Sequence, residues 1–513
     1  MRELRFGGGI NQLDDELVSF DECIDGENFL LDADSRSFRP RPSFDLKGTA
    51  PNAAVINGIM QLIKRDNTAT QLVQAGTTVY DWDGGSTWTS KGTVASNALL
   101  RSAYWSLNDV LVITDLNKNE VVKTWDGTTL GTLAHNIVGV TNLYAKYALV
   151  HGGRVWLFNV TTDAADNPHV ILASEYEDYS NFNNAQTPDS AALTYSDPFF
   201  MTSKDLRPIN GVGLFYNTIV FSTIDGRMFR ITGTDATDYA VEEYYAGSSA
   251  VGKELMVNAG NDLMYVRRGG QIESLRATDQ YGDTTADDIS KWIQTETQGL
   301  NDGVAVYDQQ RQRVCFFTEY GYVLVCDKYA LTKGLSPWMK WTTNMTTNLN
   351  VSAATYLRIP NYTGYTIYFG GTEGQVYDMN GIGTGDSGGV VIDSYRKSKL
   401  VTNMNTIDDL VSGRIHYRRK AIQNLDLTFE WSDEYTDTRN RIPLKAPLEG
   451  VGNAVFGGNV YWGGDVYFNG GAATLDRVST VGFSAVGKGP SFFLTTALST
   501  DEDFLVLKIE TEG

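Results

Sequence analysis

Tyr147-Ala-Leu-Val-His-Gly-Gly-Arg-Val-Trp-Leu-Phe158 reads as two strand-forming runs around a Gly-Gly turn. Paired glycines supply the two positive-φ positions of a tight hairpin, and β-branched and aromatic residues suit the strands beside it. Strand-forming runs around a turn marked by Gly or Asn return in Gln71-Leu-Val-Gln-Ala-Gly-Thr-Thr-Val-Tyr-Asp-Trp82, Leu214-Phe-Tyr-Asn-Thr-Ile-Val-Phe-Ser-Thr223 and Leu263-Met-Tyr-Val-Arg-Arg-Gly-Gly-Gln-Ile272. They return again in Val314-Cys-Phe-Phe-Thr-Glu-Tyr-Gly-Tyr-Val-Leu-Val325 and Tyr365-Thr-Ile-Tyr-Phe-Gly-Gly-Thr-Glu-Gly-Gln-Val-Tyr377. Hairpins recurring every ~40 residues are the pattern of a β-propeller, in which each blade buries its faces against its neighbours. Seven candidate blades fall near 53–93, 97–137, 142–190, 206–248, 250–282, 300–345 and 350–383. Their spacing is uneven, so six to eight blades fit the pattern, with seven the count these segments give. The fold class expected is all-β. A propeller is a scaffold, so it names no chemistry by itself.

The rest of the chain does not follow the repeat. Residues 1–46 read as an N-terminal arm that packs on another domain, with a hairpin around Asp32-Ala-Asp-Ser35 and extended backbone enforced by Pro40 and Pro42. The propeller is assigned to 50–383, and the Gly-rich stretch 384–395 to a linker. Residues 396–513 show longer strand-like runs, at Arg414–Lys420, Leu425–Ser432, Val478–Val486, Ser491–Thr496 and Phe504–Glu510, which point to a β-sandwich or barrel. The run Phe456–Gly471, rich in aromatics and glycine, reads as a long hairpin suited to a subunit contact. One helix is expected within the repeat, at Thr285–Thr295, with Ile289, Trp292 and Ile293 on one face.

The 513 residues carry a formal net charge of −20. A generic nucleic-acid binder is basic, because phosphate contacts release counterions. This chain either avoids nucleic acid or lets it pass without adhering, and the charge also keeps a large protein soluble. The three cysteines, Cys23, Cys315 and Cys326, do not make a disulfide framework and are expected as buried, reduced thiols. The N-terminal residues lack an apolar signal core, and no run approaches the 18 apolar residues of a membrane span, so folding in a cytoplasm is expected.

No catalytic constellation stands out. The four histidines, His135, His151, His169 and His416, have no metal-ligand spacing, and there is no G-x-S-x-G elbow or C-x-x-C pair. His151 sits in a hairpin turn and is given a hydrogen-bonding role. Asp115-Leu-Asn-Lys-Asn-Glu120 mimics the opening of a calcium loop but lacks Gly at its sixth position, which favours an Asx-type blade turn. Asp81-Trp-Asp-Gly-Gly85 reads the same way. No cofactor and no metal is assigned. A propeller glycosidase would need two carboxylates about 5–10 Å apart, and no cue selects such a pair.

One basic stretch interrupts the acidic background. Arg414, His416, Arg418 and Lys420 alternate along one strand, with Arg419 beside them. They read either as a solvated face or as a patch complementary to an acidic surface of a neighbouring subunit.

The arm motifs Gly8-Gly-Ile-Asn11, Glu27-Asn-Phe29 and Arg39-Pro-Arg-Pro42 precede an aromatic-rich propeller. Together with Ala148–Phe158, Ile171-Leu-Ala-Ser-Glu175 and a C-terminal β domain, this layout resembles the tail-hub or nozzle proteins of short-tailed bacteriophages. The resemblance implies a structural virion protein, not an enzyme. It implies a homohexamer below the portal and adaptor ring, forming the exit channel for double-stranded DNA and a platform for tail fibres or spikes. It also implies assembly in the host cytoplasm, location in the virion tail, and a propeller inserted between the arm and the C-terminal domain, outside the channel. Asp433, Glu434, Tyr435, Asp437, Arg439 and Arg441 are the candidate gate loop of that channel. Two alternatives stay open: a propeller glycosidase or lyase, and a carbohydrate-binding adhesin.

Overall fold

The computed structural model describes residues 37–397 except 164, 183–186, 189–192, 247–248, 278–283, 346–348, 360–363, 382–384 and 391. It also describes 2–4, 8–13, 19 and 21–32, and the C-terminal strands within 410–419, 425–433, 436–446, 477–486, 491–498 and 504–512.

Seven four-stranded antiparallel-type blades form a β-propeller. Blade 1 comprises Ile56–Ile63, Ala69–Ala75, Thr78–Trp82 and Trp88–Thr93, and blade 2 comprises Leu100–Trp105, Val110–Asp115, Lys123–Trp125 and Leu130–Thr132. Blade 3 is Leu143–His151, Arg154–Thr162, Asp166–Ala173 and Phe199–Thr202, and blade 4 is Ile209–Phe215, Thr218–Thr223, Arg227–Thr232 and Ala240–Ala246. Blade 5 is Met256–Asn258, Leu263–Val266, Ile272–Ala277 and Thr284–Asp288, and blade 6 is Gly303–Asp308, Arg313–Thr318, Val323–Asp327 and Trp338–Trp341. Blade 7 takes Ala354–Arg358, Tyr365–Gly370 and Gln375–Gly381 from the end of the repeat, and its outermost strand, Ser43–Thr49, from the start of the chain. First strands of neighbouring blades touch all the way round, including blade 7 against blade 1, so the ring is closed.

The sequence dictates this layering. Second strands read as continuous apolar runs, because both of their faces are covered by adjacent blades; all six residues of Val110–Asp115 are buried. The core is therefore a series of clusters between blades. Between blades 3 and 4, Trp156 meets Phe199 and Tyr239 edge-to-face at 5.5 and 5.1 Å. Truncating such a tryptophan to alanine typically costs about 3–5 kcal/mol. The blade 3 hairpin turns on Gly152 and Gly153, both with positive φ (58° and 69°). At the same place in blade 4, Tyr216 and Asn217 adopt φ of 45° and 57°, a conformation unfavourable for a side chain as large as tyrosine.

The helix expected at Thr285–Thr295 is not formed. Thr284–Asp288 is the outer strand of blade 5, paired with Ile272–Ala277, and the only helical turn nearby among the described residues is Gln294–Thr297. Asp288 does not cap a helix; its carboxylate accepts from the backbone N–H and hydroxyl of Ser290. Ile289 and Ile293 are both buried, so their spacing marks burial on either side of a turn.

The chain divides into two compact units, one of residues 1–44, 324–345 and 381–513 and one of 45–323 and 346–380. In the first, strands from both chain ends share two sheets. One sheet runs Phe29–Asp32, Ser37–Pro40, Phe504–Glu512, Leu410–Arg419, Arg477–Val486, with Arg2–Leu4 also on Phe504–Glu512. The other runs Asp25–Glu27, Ile392–Lys397, Ser491–Leu498, Leu425–Asp433, Thr436–Ala446. Apart from the hairpin Leu425–Asp433/Thr436–Ala446, which stays within one sheet, successive described C-terminal strands switch from one sheet to the other. Neither path closes on itself among the described residues. The run Phe456–Gly471 lies outside the described residues.

Candidate functional site

Three features bear on function: the docking of the N-terminal arm, the axis of the propeller, and the two clusters singled out in the C-terminal strands.

The arm docks through the residues that carry the resemblance. Gly9 donates its N–H to the carbonyl of Ser336 at 2.6 Å, and Ile10 donates to Trp338 at 2.8 Å. A Cβ on Gly9 would stand 2.0 Å from the Trp338 carbonyl oxygen, so only glycine permits this approach. Buried Glu22 gathers the Asn11 amide at 2.7 Å and the Ser336 N–H at 2.6 Å on its carboxylate. Asn28, held at φ 57°, is a hub: its amide donates to the Thr342 hydroxyl and the Asp393 carbonyl. Its side-chain oxygen accepts from Arg41 Nε at 2.9 Å and from the Thr342 N–H at 2.7 Å. Arg41 then forms a two-pronged ion pair with Asp386, Nη1 to Oδ1 at 2.8 Å and Nη2 to Oδ2 at 2.6 Å, with both side chains fully buried. The remaining acceptor capacity of Asp386 is filled by the Phe44 N–H and the Thr343 hydroxyl. A buried ion pair is favourable only with such complete satisfaction.

On the propeller axis, Arg101 of the first strand of blade 2 reaches across the ring. Its Nη1 donates to the carbonyls of Asn57 and Leu100, both at 2.8 Å, and Nη2 donates to the carbonyl of Ser352. Its Nε pairs with Glu254, which leads into the first strand of blade 5. Blades 2 and 5 stand on opposite sides of a seven-membered ring, so this pair bars the central opening at the end where first strands begin. Nearby on the first strand of blade 3, burial pushes the Lys146 amine below its usual range, with the Lys118 charge adding to the effect and Glu254 opposing it.

Of the basic cluster, Arg414, His416, Arg418 and Arg419 lie in the strand Leu410–Arg419. That strand is internal to its sheet, and Arg414, His416 and Arg418 stand opposite Gly482, Thr480 and Val478. Lys420 lies outside the described residues. The stretch read as a gate loop is mostly strand: Asp433 ends Leu425–Asp433, and Asp437, Arg439 and Arg441 belong to Thr436–Ala446. Asp433 pairs with Thr436, so the connection is a tight hairpin, whose Glu434 and Tyr435 lie outside the described residues.

The calcium-like sequence is a turn. Asp115 is fully buried, and its carboxylate accepts four backbone N–H groups, from Leu99, Asn117, Asn119 and Glu120, at 2.6–3.0 Å. Asp83 likewise accepts from Gly85 and Thr87. All three cysteines are free and buried, and burial raises the Cys23 thiol to about 11 and Cys315 further still.

Sequence reasoning placed neither Arg101–Glu254 nor Arg41–Asp386. The only local signal was the proline on each side of Arg41, which fixes an extended segment but not its partner.

No family model and no curated protein matches the chain. Among solved structures it is similar to one described as BBS1N in complex with ARL6DN, soaked with lead, at 10% identity and a TM-score of 0.40. That likeness covers 66% of this chain and 97% of the other, which is a propeller domain. By its own strand order the chain is a seven-bladed β-propeller protein in which strands from both chain ends build a second β unit.

Proposed function

We propose that the protein is a structural subunit of a short-tailed bacteriophage tail hub or nozzle, working as a six-membered ring through which DNA leaves the virion. One observation carries the reading: the propeller is an insertion. Arg2–Leu4 pairs with Phe504–Glu512 and Asp25–Glu27 with Ile392–Lys397, so residues on either side of the propeller complete one β unit. This is the layout that the resemblance implies, with the β unit as the ring-forming platform and the propeller as an appendage for attaching other tail proteins. The bar formed by Arg101 and Glu254 supports the same division, because the propeller's own axis is then no conduit.

In this reading the bore lies between subunits, and the acidic surplus matters there. A wall of net negative charge repels phosphate within roughly a Debye length, about 8 Å at physiological salt, and gives passing DNA few attractive stopping points. The Leu410–Arg419 strand is assigned to subunit contact and the Asp433–Thr436 hairpin to the constriction. The protein turns over no substrate in this role, and among the described residues no helix is long and apolar enough to cross a membrane.

Native mass spectrometry tests the proposal. Six copies of the 56.6 kDa chain give a ring of about 340 kDa, visible as six-fold particles by negative stain. A stable monomer that cleaves a polysaccharide would overturn it.

A further inference from the structure

Sheets that do not close end in strand edges, and most edges of the second β unit carry features that keep them from pairing with other strands. On one side of the first sheet, Arg2–Leu4 and Phe29–Asp32 have only three and four residues. The backbone of Phe29–Asp32 is also engaged by the outer strand of blade 6: Leu31 donates its N–H to Met339 Sδ at 3.3 Å, and the Phe29 carbonyl accepts from Trp341 Nε1 at 2.8 Å. Asp25–Glu27 ends the other sheet with three residues, and the next N–H, that of Asn28, donates to the Lys340 carbonyl at 2.8 Å. Thr436–Ala446, at the far end of that sheet, is eleven residues long but holds Asp437, Arg439, Arg441, Lys445 and Pro443. Its register with Leu425–Asp433 also shifts between Trp431 and Asp433. Charge, proline and irregular register all blunt an edge.

Arg477–Val486 has none of these features. It ends the far side of the first sheet and pairs with Leu410–Arg419 through ten successive residues, from Leu410 opposite Val486 to Arg419 opposite Arg477, with no register shift. After Arg477 the strand reads Val-Ser-Thr-Val-Gly-Phe-Ser-Ala-Val486, without a charge or a proline. In an antiparallel edge, alternate residues turn their N–H and C=O outward, so about half of this strand presents backbone groups to a further strand. Among the described residues no strand pairs with that side. A regular, uncharged edge of this length is a template for strand addition. The adjoining strand narrows the partner. Arg414, His416 and Arg418 stand opposite Gly482, Thr480 and Val478, so a basic row runs one strand in from the bare edge, on the face these residues share. With 62 acidic and 42 basic side chains, a second copy of the chain offers the complementary charge.

We propose that the outer edge of Arg477–Val486 pairs with a strand of a second copy of this chain, extending the sheet across the subunit boundary beside the row of Arg414, His416 and Arg418. This contact deepens the ring reading and rests on it: it puts the backbone part of the subunit contact on the strand next to Leu410–Arg419. Hydrogen exchange followed by mass spectrometry on the full chain, at concentrations above and below its assembly, tests it. In the assembled protein the amides of Arg477–Val486 should exchange slowly along the whole strand. On dissociation about half of them should speed up many-fold, while those of Leu410–Arg419, paired on both sides, stay slow. Raising salt from about 0.1 to about 1 M shortens the Debye length from about 10 to about 3 Å and should shift the protein toward the dissociated state. Edge amides that exchange fast in the assembled protein would overturn the proposal. So would edge amides equally slow in the dissociated chain, where residues 447–476 of the same chain would then be the cover, and so would assembly that salt does not weaken. The two readings fail separately. A six-membered ring with a fast-exchanging edge overturns this contact alone, a dimer with a protected edge overturns the ring alone, and a chain monomeric at every concentration overturns both.

Discussion

Asp386 shows how much a single side chain carries. Its carboxylate satisfies the Arg41 guanidinium, the Phe44 N–H and the Thr343 hydroxyl, and neither member of the pair touches solvent. Replacing Asp386 with alanine would leave a buried guanidinium without its counter-charge, and we expect a loss of about 3–5 kcal/mol in urea unfolding. Arg41→Met combined with Asp386→Leu should recover much of that loss, since an apolar pair carries no desolvation penalty. Recovery no better than in the single variant would show that the pair's role lies in the Asn28 and Thr342 contacts instead. None of this was legible in Arg39-Pro-Arg-Pro42, where the prolines declare extended backbone but Arg39 and Arg41 look alike. The difference between them is made by a partner 345 residues away. By contrast, the Asx turn at Asp115 was readable, because three of its four donors lie within five residues; the fourth, Leu99 on the preceding segment, was not.

Local patterning succeeded at the level of hairpins and failed where an element's neighbour decides its form. Gly152-Gly153 declares its turn through positive φ, and the alternation of apolar runs and turns locates most blade strands. Ile289, Trp292 and Ile293 have helical spacing within Thr285–Thr295, yet pairing of its first residues with the edge of Ile272–Ala277 supplies backbone hydrogen bonds that one isolated helical turn could not match. Asp433–Arg441 was the candidate gate loop, whereas the register between Leu425–Asp433 and Thr436–Ala446 puts most of it in strands. The outer strand Trp338–Trp341 receives the arm at Gly9, where a Cβ has no room. Gly9→Ala should therefore release the first residues of the arm while leaving the propeller folded. Limited proteolysis should then remove the N-terminal segment many-fold faster than from the parent; an unchanged cleavage rate would mean that the backbone shifts to accept the methyl group.

Across the ring as a whole, Arg101 ties together the starts of blades 1, 2, 5 and 7 through one guanidinium. Arg101→Ala should unlock the axis: we expect a drop of about 1–3 kcal/mol, since several carbonyls lose a charged donor, and faster hydrogen exchange at the first strands of those blades. Exchange that rises in only one blade would show that the contact is local. Blade number followed from counting hairpins; closure did not, because Ser43–Thr49 sits before the first repeat and carries no mark of the blade it joins. Its position has a temporal consequence. Ser43–Thr49 is made before the other strands of any blade, whereas Gln375–Gly381, the strand it covers, follows more than 300 residues later. During translation the nascent propeller is thus an open arc with two bare strand edges, and sealing it requires two segments more than 300 residues apart to find each other, a slow, entropy-limited step during which like arcs on neighbouring ribosomes could cross-pair.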